Sequence, residues 1–129
     1  MARAYTVAAA ALALEVPVKW LDNALSHFRV AGVRQERQGV SRRLSIEALL
    51  RLAVADILSN ELQIPLARAL TISDEIVSRA GRFTSASGIQ LALELPSFLA
   101  SLLDRLERAV EIAPIPRRGR PPKTTGRLD

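Results

Sequence analysis

The sequence of 129 residues predicts a mainly α-helical fold with a small β-hairpin, one later strand and a basic tail. Three observations support this prediction. Apolar residues recur at helical spacing in several segments, glycines interrupt an Arg-rich segment that lacks this spacing, and the last residues carry few apolar side chains. Because 49% of the residues are hydrophobic, the chain can form a compact core.

Two short helices are predicted near the start of the chain. Thr6 is a suitable N-cap for the segment VAAAALAL, residues 7–14. Pro17 then opens a second helix at 17–28, whose apolar residues fall on one face: Leu21, Ala24, Leu25 and Phe28. Two short helices joined by a tight turn are the outline of a helix-turn-helix.

The segment VAGVRQERQGVSRRLS lacks helical periodicity and contains Gly32 and Gly39. It predicts a β-hairpin with strands near 32–36 and 40–44. Helices follow at 46–62, capped by Ser45, and at 65–81, with a break at Thr71 to Ser73.

A later strand and a last helix are predicted at 89–95 and 97–112, from alternating and from helical spacing of leucines. Since a single strand exposes unpaired backbone groups, this one needs a partner. Either the first hairpin or the same strand of a second copy supplies it. We expect a homodimer whose contacts are Leu91, Leu93, Leu99, Leu102 and Leu106.

The charge of the chain is unevenly distributed. The net charge is +5, made up of +4 in residues 1–43, −3 in residues 44–116 and +4 in residues 117–129. Basic ends of this kind favour a polyanionic partner, and most of the cations are arginines, whose planar fork suits phosphates and base edges.

Several kinds of chemistry are not indicated by the sequence. The chain has no cysteine, and His27 is its single histidine, so we predict no metal, no cofactor, no small-molecule ligand and no enzymatic activity. The carboxylate pairs Asp74 with Glu75 and Asp104 with Glu107 have the spacing of helix caps and helix surfaces. No stretch reaches the roughly 18 apolar residues of a membrane span, which predicts a soluble cytoplasmic protein.

Residues 5–72 resemble the winged helix-turn-helix domain of the MerR family of DNA-binding proteins. The matching residues are Tyr5, Thr6 and Val7 at the start, Val16 in the turn, and Gly39 and Arg42 in the hairpin, or wing. The segment NELQIPLARAL resembles the segment that follows in that family, which consists of a helix, a turn and a second helix. The chain departs from the family at Glu15, where the turn usually has glycine, and at Leu44, where the wing has an aromatic residue.

The resemblance implies that the helix at 17–28 enters the major groove of DNA. Its outward polar residues are Lys19, Asn23 and Ser26, and the wing carries Arg34, Arg37, Arg42 and Arg43. Asn can pair with adenine through two hydrogen bonds, and wing arginines suit phosphates or the minor groove. The alternative is that these residues are only a solvated surface.

The tail segment RRGRPPK resembles an AT-hook, a short minor-groove element with a Gly-Arg-Pro core. Gly119, Arg120 and Pro121 match this core, and the flanking cations are Arg117, Arg118 and Lys123. Glycine permits close approach to the groove floor, and the arginines suit the negative potential of a narrow A·T groove. The alternative is an unstructured basic tail that adds salt-dependent affinity.

The predicted organisation is a winged helix-turn-helix domain at 1–81, a strand-helix self-association unit at 82–113 and a disordered basic tail at 114–129. The predicted function is sequence-specific binding of double-stranded DNA by a nucleoid-associated transcriptional regulator. Two alternatives remain open: an architectural or excisionase-like DNA-binding protein, and a protein-interaction adaptor.

Overall fold

The computed structural model describes residues 3–35 and 42–113. Their helices are α1 (Val7–Leu14), α2 (Val18–His27), α3 (Ile46–Leu62), α4 (Leu66–Ser78) and α5 (Leu95–Ile112). Their strands are β1 (Ala4–Thr6), β2 (Val33–Arg34), β3 (Arg43–Ser45), β4 (Arg82–Thr84) and β5 (Gln90–Ala92). The mainly α fold class is therefore confirmed.

Helix α1 lies at the centre of the packing. The hydroxyl of Thr6 accepts a hydrogen bond from the N–H of Ala9 at 3.1 Å, which confirms the predicted N-cap. The alanines of α1 are nearly all buried: Ala9, Ala10, Ala11 and Ala13. Because alanine has so small a side chain, neighbouring elements can approach this helix closely, and α1 packs on α5 and α2 and contacts β1 and β3.

The turn between α1 and α2 depends on a left-handed residue. Glu15 has φ 60° and ψ 43°, and its N–H donates to the carbonyl of Leu12 at 3.2 Å. The N–H of Val16 donates to the carbonyl of Ala11 at 3.0 Å, so the last carbonyls of α1 are satisfied. Helix α2 begins at Val18, so Pro17 is its N-cap and not its first helical residue, as had been predicted.

The first sheet is antiparallel, with strand order β1-β3-β2. The hairpin prediction is confirmed with shorter strands, and β1 adds a strand that the sequence pattern did not predict. Leu44 lies between Tyr5 and Val33 on the face that meets the core. Gly32, at φ +93°, is needed where the hairpin meets α3, since a Cβ there would collide with the hydroxyl of Ser45, the N-cap of α3.

Helices α3 and α4 form an extensively packed pair. Arg51 on α3 donates to the carboxylate of Asp74 on α4 at 2.7 Å. The predicted break between Thr71 and Ser73 is wrong, because α4 is continuous. Ser73 is fully buried, and its hydroxyl donates to the carbonyl of Leu70 at 2.9 Å, so this polar side chain is satisfied inside the helix.

The strand predicted at 89–95 is shorter, and within the chain its partner is not the predicted hairpin. It is β5, and it pairs with β4, which lies in the segment expected to be a polar link. The first hairpin is therefore not its partner, and pairing of its other edge with a second copy stays a prediction. The N–H of Leu93 donates to the carbonyl of Gly81 at 2.8 Å, which extends the pairing to the end of the α4–β4 turn.

Helix α5 begins at Leu95, two residues earlier than predicted, with Pro96 in its first turn. This helix packs on α1, and its buried residues are Leu102, Leu106 and Ala109. Leu102 and Leu106 have no exposed surface within one chain, so their predicted role as dimer contacts is wrong. The remaining predicted contacts, Leu91, Leu93 and Leu99, are half-buried.

A single hydrophobic cluster extends from Tyr5 to Ala109. The ranges predicted as a DNA-binding domain, 1–81, and as a self-association unit, 82–113, both contribute side chains to it. Within the ranges that the structure describes, none of the helices is long and apolar enough to cross a bilayer.

Replacing Glu15 with glycine should stabilise the protein. Glycine removes the steric cost of a left-handed residue, about 1 kcal/mol, part of which is offset by the larger entropy of the unfolded chain. Urea denaturation should give a higher free energy of unfolding for Glu15→Gly. The exposed α5 residue Glu107 is the control, since Glu107→Gly places glycine inside a helix and should lower that energy by about 1 kcal/mol. A loss of stability in Glu15→Gly would show that the turn is not strained.

Candidate nucleic-acid interface

One face of α2 presents the three polar residues that the sequence pattern singled out. Lys19, Asn23 and Ser26 are spaced by four and three residues, so they lie on one side of the helix, and all three are exposed. The opposite side is anchored by Leu21 and Ala24, which are buried. The core therefore fixes which face of α2 meets solvent.

Arg42, which immediately precedes β3, reaches this helix. Its guanidinium lies 3.6 Å from the carboxylate of Asp22 and donates to the hydroxyl of Ser26 at 3.4 Å. Its side chain is only 23% exposed, whereas that of Asp22 is 50% exposed. Arg42 therefore connects the hairpin to α2 and partly neutralises Asp22, the acidic residue on the polar side of the helix.

Two other arginines of the hairpin face each other. Arg34 on β2 is the direct antiparallel partner of Arg43 on β3, and both are exposed. Their side chains lie on the face opposite Leu44, because successive residues of a strand alternate between faces. Like charges directly opposite each other destabilise a strand pair. This pair is a local cost to folding that an anionic ligand would relieve.

A cleft of about 520 Å³ lies between the end of α2 and the hairpin. Ser26 and Arg42 line it together with His27 and Arg29. Arg29 is exposed, and sequence reasoning missed it because it falls just beyond the predicted helix. Its position between the predicted helix and an Arg-rich hairpin was a signal that could have identified it. The N–H at Nδ1 of His27 donates to the carbonyl of Asn23 at 2.8 Å, so this ring is tied to its own helix.

The structure thus brings together Lys19, Asn23, Ser26 and Arg42, and it places Arg34 and Arg43 on the exposed face of the adjoining sheet. The other predicted contacts lie outside the described residues: Arg37, Arg117, Arg118, Gly119, Arg120 and Lys123.

The carboxylates singled out by the sequence lie in ion pairs or on helix surfaces. Besides the Arg51–Asp74 pair, Glu75 lies 3.9 Å from Arg79, and Asp104 lies 3.2 Å from Arg108. Burial raises the pKa of Asp56 on α3, and the hydrogen bond from Asn60 opposes this shift. In residues 3–35 and 42–113, no three His, Asp or Glu side chains are grouped so that they could hold a metal ion.

No protein-family model matches this chain, and no curated protein or solved structure is significantly similar to it.

Proposed function

We propose that this protein binds double-stranded DNA through a winged helix-turn-helix and acts as a transcriptional regulator. Helix α2 is the recognition helix, and the β2–β3 hairpin is the wing. The polar face of α2, its attachment to the hairpin through Arg42, and the basic charge of residues 1–43 support this proposal. The basic tail adds a contact to a neighbouring minor groove.

The observation that carries the proposal is the directly opposed pair of Arg34 and Arg43. A neutral or acidic residue at either position would remove the repulsion and would keep this surface polar. Solubility alone therefore does not account for two opposed arginines. Phosphates of a DNA backbone supply the missing negative charge, and binding releases the counterions condensed on the duplex. The pair therefore positions the protein on DNA without reading the sequence.

Sequence readout belongs to α2 in this proposal. Asn23 lies between Lys19 and Ser26 on the exposed face, and its amide can bond an adenine edge with two hydrogen bonds in the major groove. Lys19 and Ser26 contact phosphates on either side. A homodimer would present two such helices to adjacent half-sites.

An architectural role is the second candidate, because the Arg34–Arg43 pair and the Gly-Arg-Pro core of the tail suit contacts to backbone and groove shape. Footprinting separates the two roles. A regulator protects a short site with two half-sites, whereas an architectural protein coats or bends long A·T-rich DNA and associates with the nucleoid in that way.

Replacing Arg34 and Arg43 together with serine should change stability and DNA binding in opposite directions. Removal of the repulsion should raise the free energy of unfolding by about 0.2–1 kcal/mol. Loss of two phosphate contacts should weaken binding and reduce the slope of log K against log salt by about 1.8. Urea denaturation and fluorescence anisotropy with a labelled duplex, over a series of salt concentrations, measure both effects.

The matched control lowers the net charge by the same two units at positions outside the proposed interface. Arg79→Ser with Arg108→Ser removes two arginines that are 71% and 69% exposed in the acidic part of the chain. This control should leave the salt slope nearly unchanged. Equal slopes for both double variants and the intact protein would contradict the proposed interface, and a lack of salt-dependent binding by the intact protein would contradict DNA binding altogether.

Replacing Arg118 and Arg120 with alanine should weaken binding to A·T-rich duplexes more than to G·C-rich duplexes. Counterion release predicts that the slope of log K against log salt falls by about 1.8 when both contacts are lost. The same anisotropy series on the two duplexes measures this. An unchanged slope would exclude the tail from the interface, and an equal loss on both duplexes would mean that the tail contributes charge alone.

Replacing Asn23 with alanine should relax sequence preference while leaving non-specific affinity nearly intact. One bidentate contact accounts for about 1–3 kcal/mol of discrimination between bases. Selection from a randomised duplex library, followed by competition with bulk DNA, measures preference and non-specific affinity separately. If both decline together, Asn23 has a structural role in α2. Lys19→Ala is the comparison, since it should lower both affinities.

A further inference from the structure

Strand β5 has one free edge. The N–H of Leu93 bonds the carbonyl of Gly81, and the N–H of Ser85 bonds the carbonyl of Ile89, both at 2.8 Å. Hydrogen-bonded and non-hydrogen-bonded pairs alternate in an antiparallel ladder, so Gln90 and Ala92 turn their N–H and C=O groups away from β4. These groups form a short row of unpaired donors and acceptors.

An apolar groove of about 150 Å³ lies between this strand and α3. Leu91 and Leu93 form one side, and the α3 residues Ile57, Leu58 and Leu62 belong to the other. Leu62, which lines the groove on α3, is 52% exposed to solvent. The groove is therefore open to solvent at its α3 side.

Apart from its short length of three residues, the strand lacks the features that usually protect a free edge. Residues 88–93 contain no charged side chain and no proline, and Ile89 is 64% exposed. Natural edge strands commonly carry lysine, proline or a bulge that prevents pairing with another chain. An unprotected edge beside exposed apolar side chains indicates that this edge is covered by a partner.

We propose that the free edge of β5 pairs antiparallel with β5 of a second copy, around a twofold axis at Leu91. In this register Gln90 lies opposite Ala92 of the second copy, and each such pair exchanges both of its N–H···O=C bonds. The two Leu91 side chains become direct neighbours on the apolar face. Ile89 of one copy lies beside Leu93 of the other and covers the end of the groove.

The strand suits this partner because its sequence matches itself. When residues 89–93 run antiparallel to a copy of themselves, apolar residues meet apolar residues on the inner face, and uncharged residues meet on the outer face. The axis is perpendicular to the sheet, so both apolar faces remain on one side, above the two α3 helices. The contact merges two small sheets into one continuous sheet.

Two other occupants fit the edge less well. The tail of the same chain has prolines at 114, 116, 121 and 122, which lack the N–H that a strand partner donates. The α5 surface carries Leu103 and Val110, which are 42% and 36% exposed, but it has no unpaired backbone groups to offer the strand. The proposed pairing does not depend on DNA binding, so it is tested without DNA.

Sedimentation equilibrium of the full chain should show a mass that rises with concentration from 14.1 kDa towards about twice that value. Because three-residue strands form a small interface, we expect dissociation in the micromolar range. Ile89→Arg should weaken self-association at least tenfold, since it places a charge beside Leu93 of the second copy without disturbing a buried site. Ile112→Arg is the matched control, because Ile112 is 72% exposed on α5 and lies away from the edge.

Hydrogen exchange provides a second measurement. The amide protons of Gln90 and Ala92 should exchange more slowly as concentration rises, and Ile89→Arg should abolish this dependence. A mass that stays monomeric up to submillimolar concentration would overturn the proposal. So would a dimer that Leu103→Arg disrupts and Ile89→Arg does not, since that result assigns the contact to α5.

Discussion

The close packing of α1 is the constraint on which the rest of the structure depends. Its buried alanines let α2, α5 and the first sheet approach the same short helix, which has only eight residues. A larger side chain at Ala10, which has no exposed surface, would force the elements packed against it away from α1. The orientation of the polar face of α2 and the position of α5 both follow from contacts with this one helix.

Local signals in the sequence predicted much of this fold. Thr6 and Ser45 cap helices as expected, and the glycine-containing segment forms a hairpin. The partner of β5 was not predictable in this way, because β4 is only three residues long and follows a helix end. Strand β4 forms because Phe83 is buried in the core, and this burial is a tertiary effect that the local sequence does not indicate.

The candidate site was predictable in its composition and less so in its internal contacts. The exposed face of α2 follows from helical spacing, since Lys19 and Asn23 lie opposite Leu21. The bond from Arg42 to Ser26 was not predictable, because it joins residues brought together only when the hairpin folds back on α2. Spacing also placed Leu102 and Leu106 on an apolar face expected to meet a second copy, and it could not indicate that α5 packs on α1 instead.

The C-terminal end of α5 is held close to the body of the protein. Ala109 is buried and Ala113 packs against the core. The segment that begins at residue 114 therefore starts from a fixed point on the surface of the folded body. A segment from 114 to 127 spans at most about 50 Å when fully extended. If the tail and α2 bind the same duplex, this short tether gives the second contact a high effective concentration, on the order of millimolar. Two weak contacts would then act as one stronger and more salt-sensitive contact.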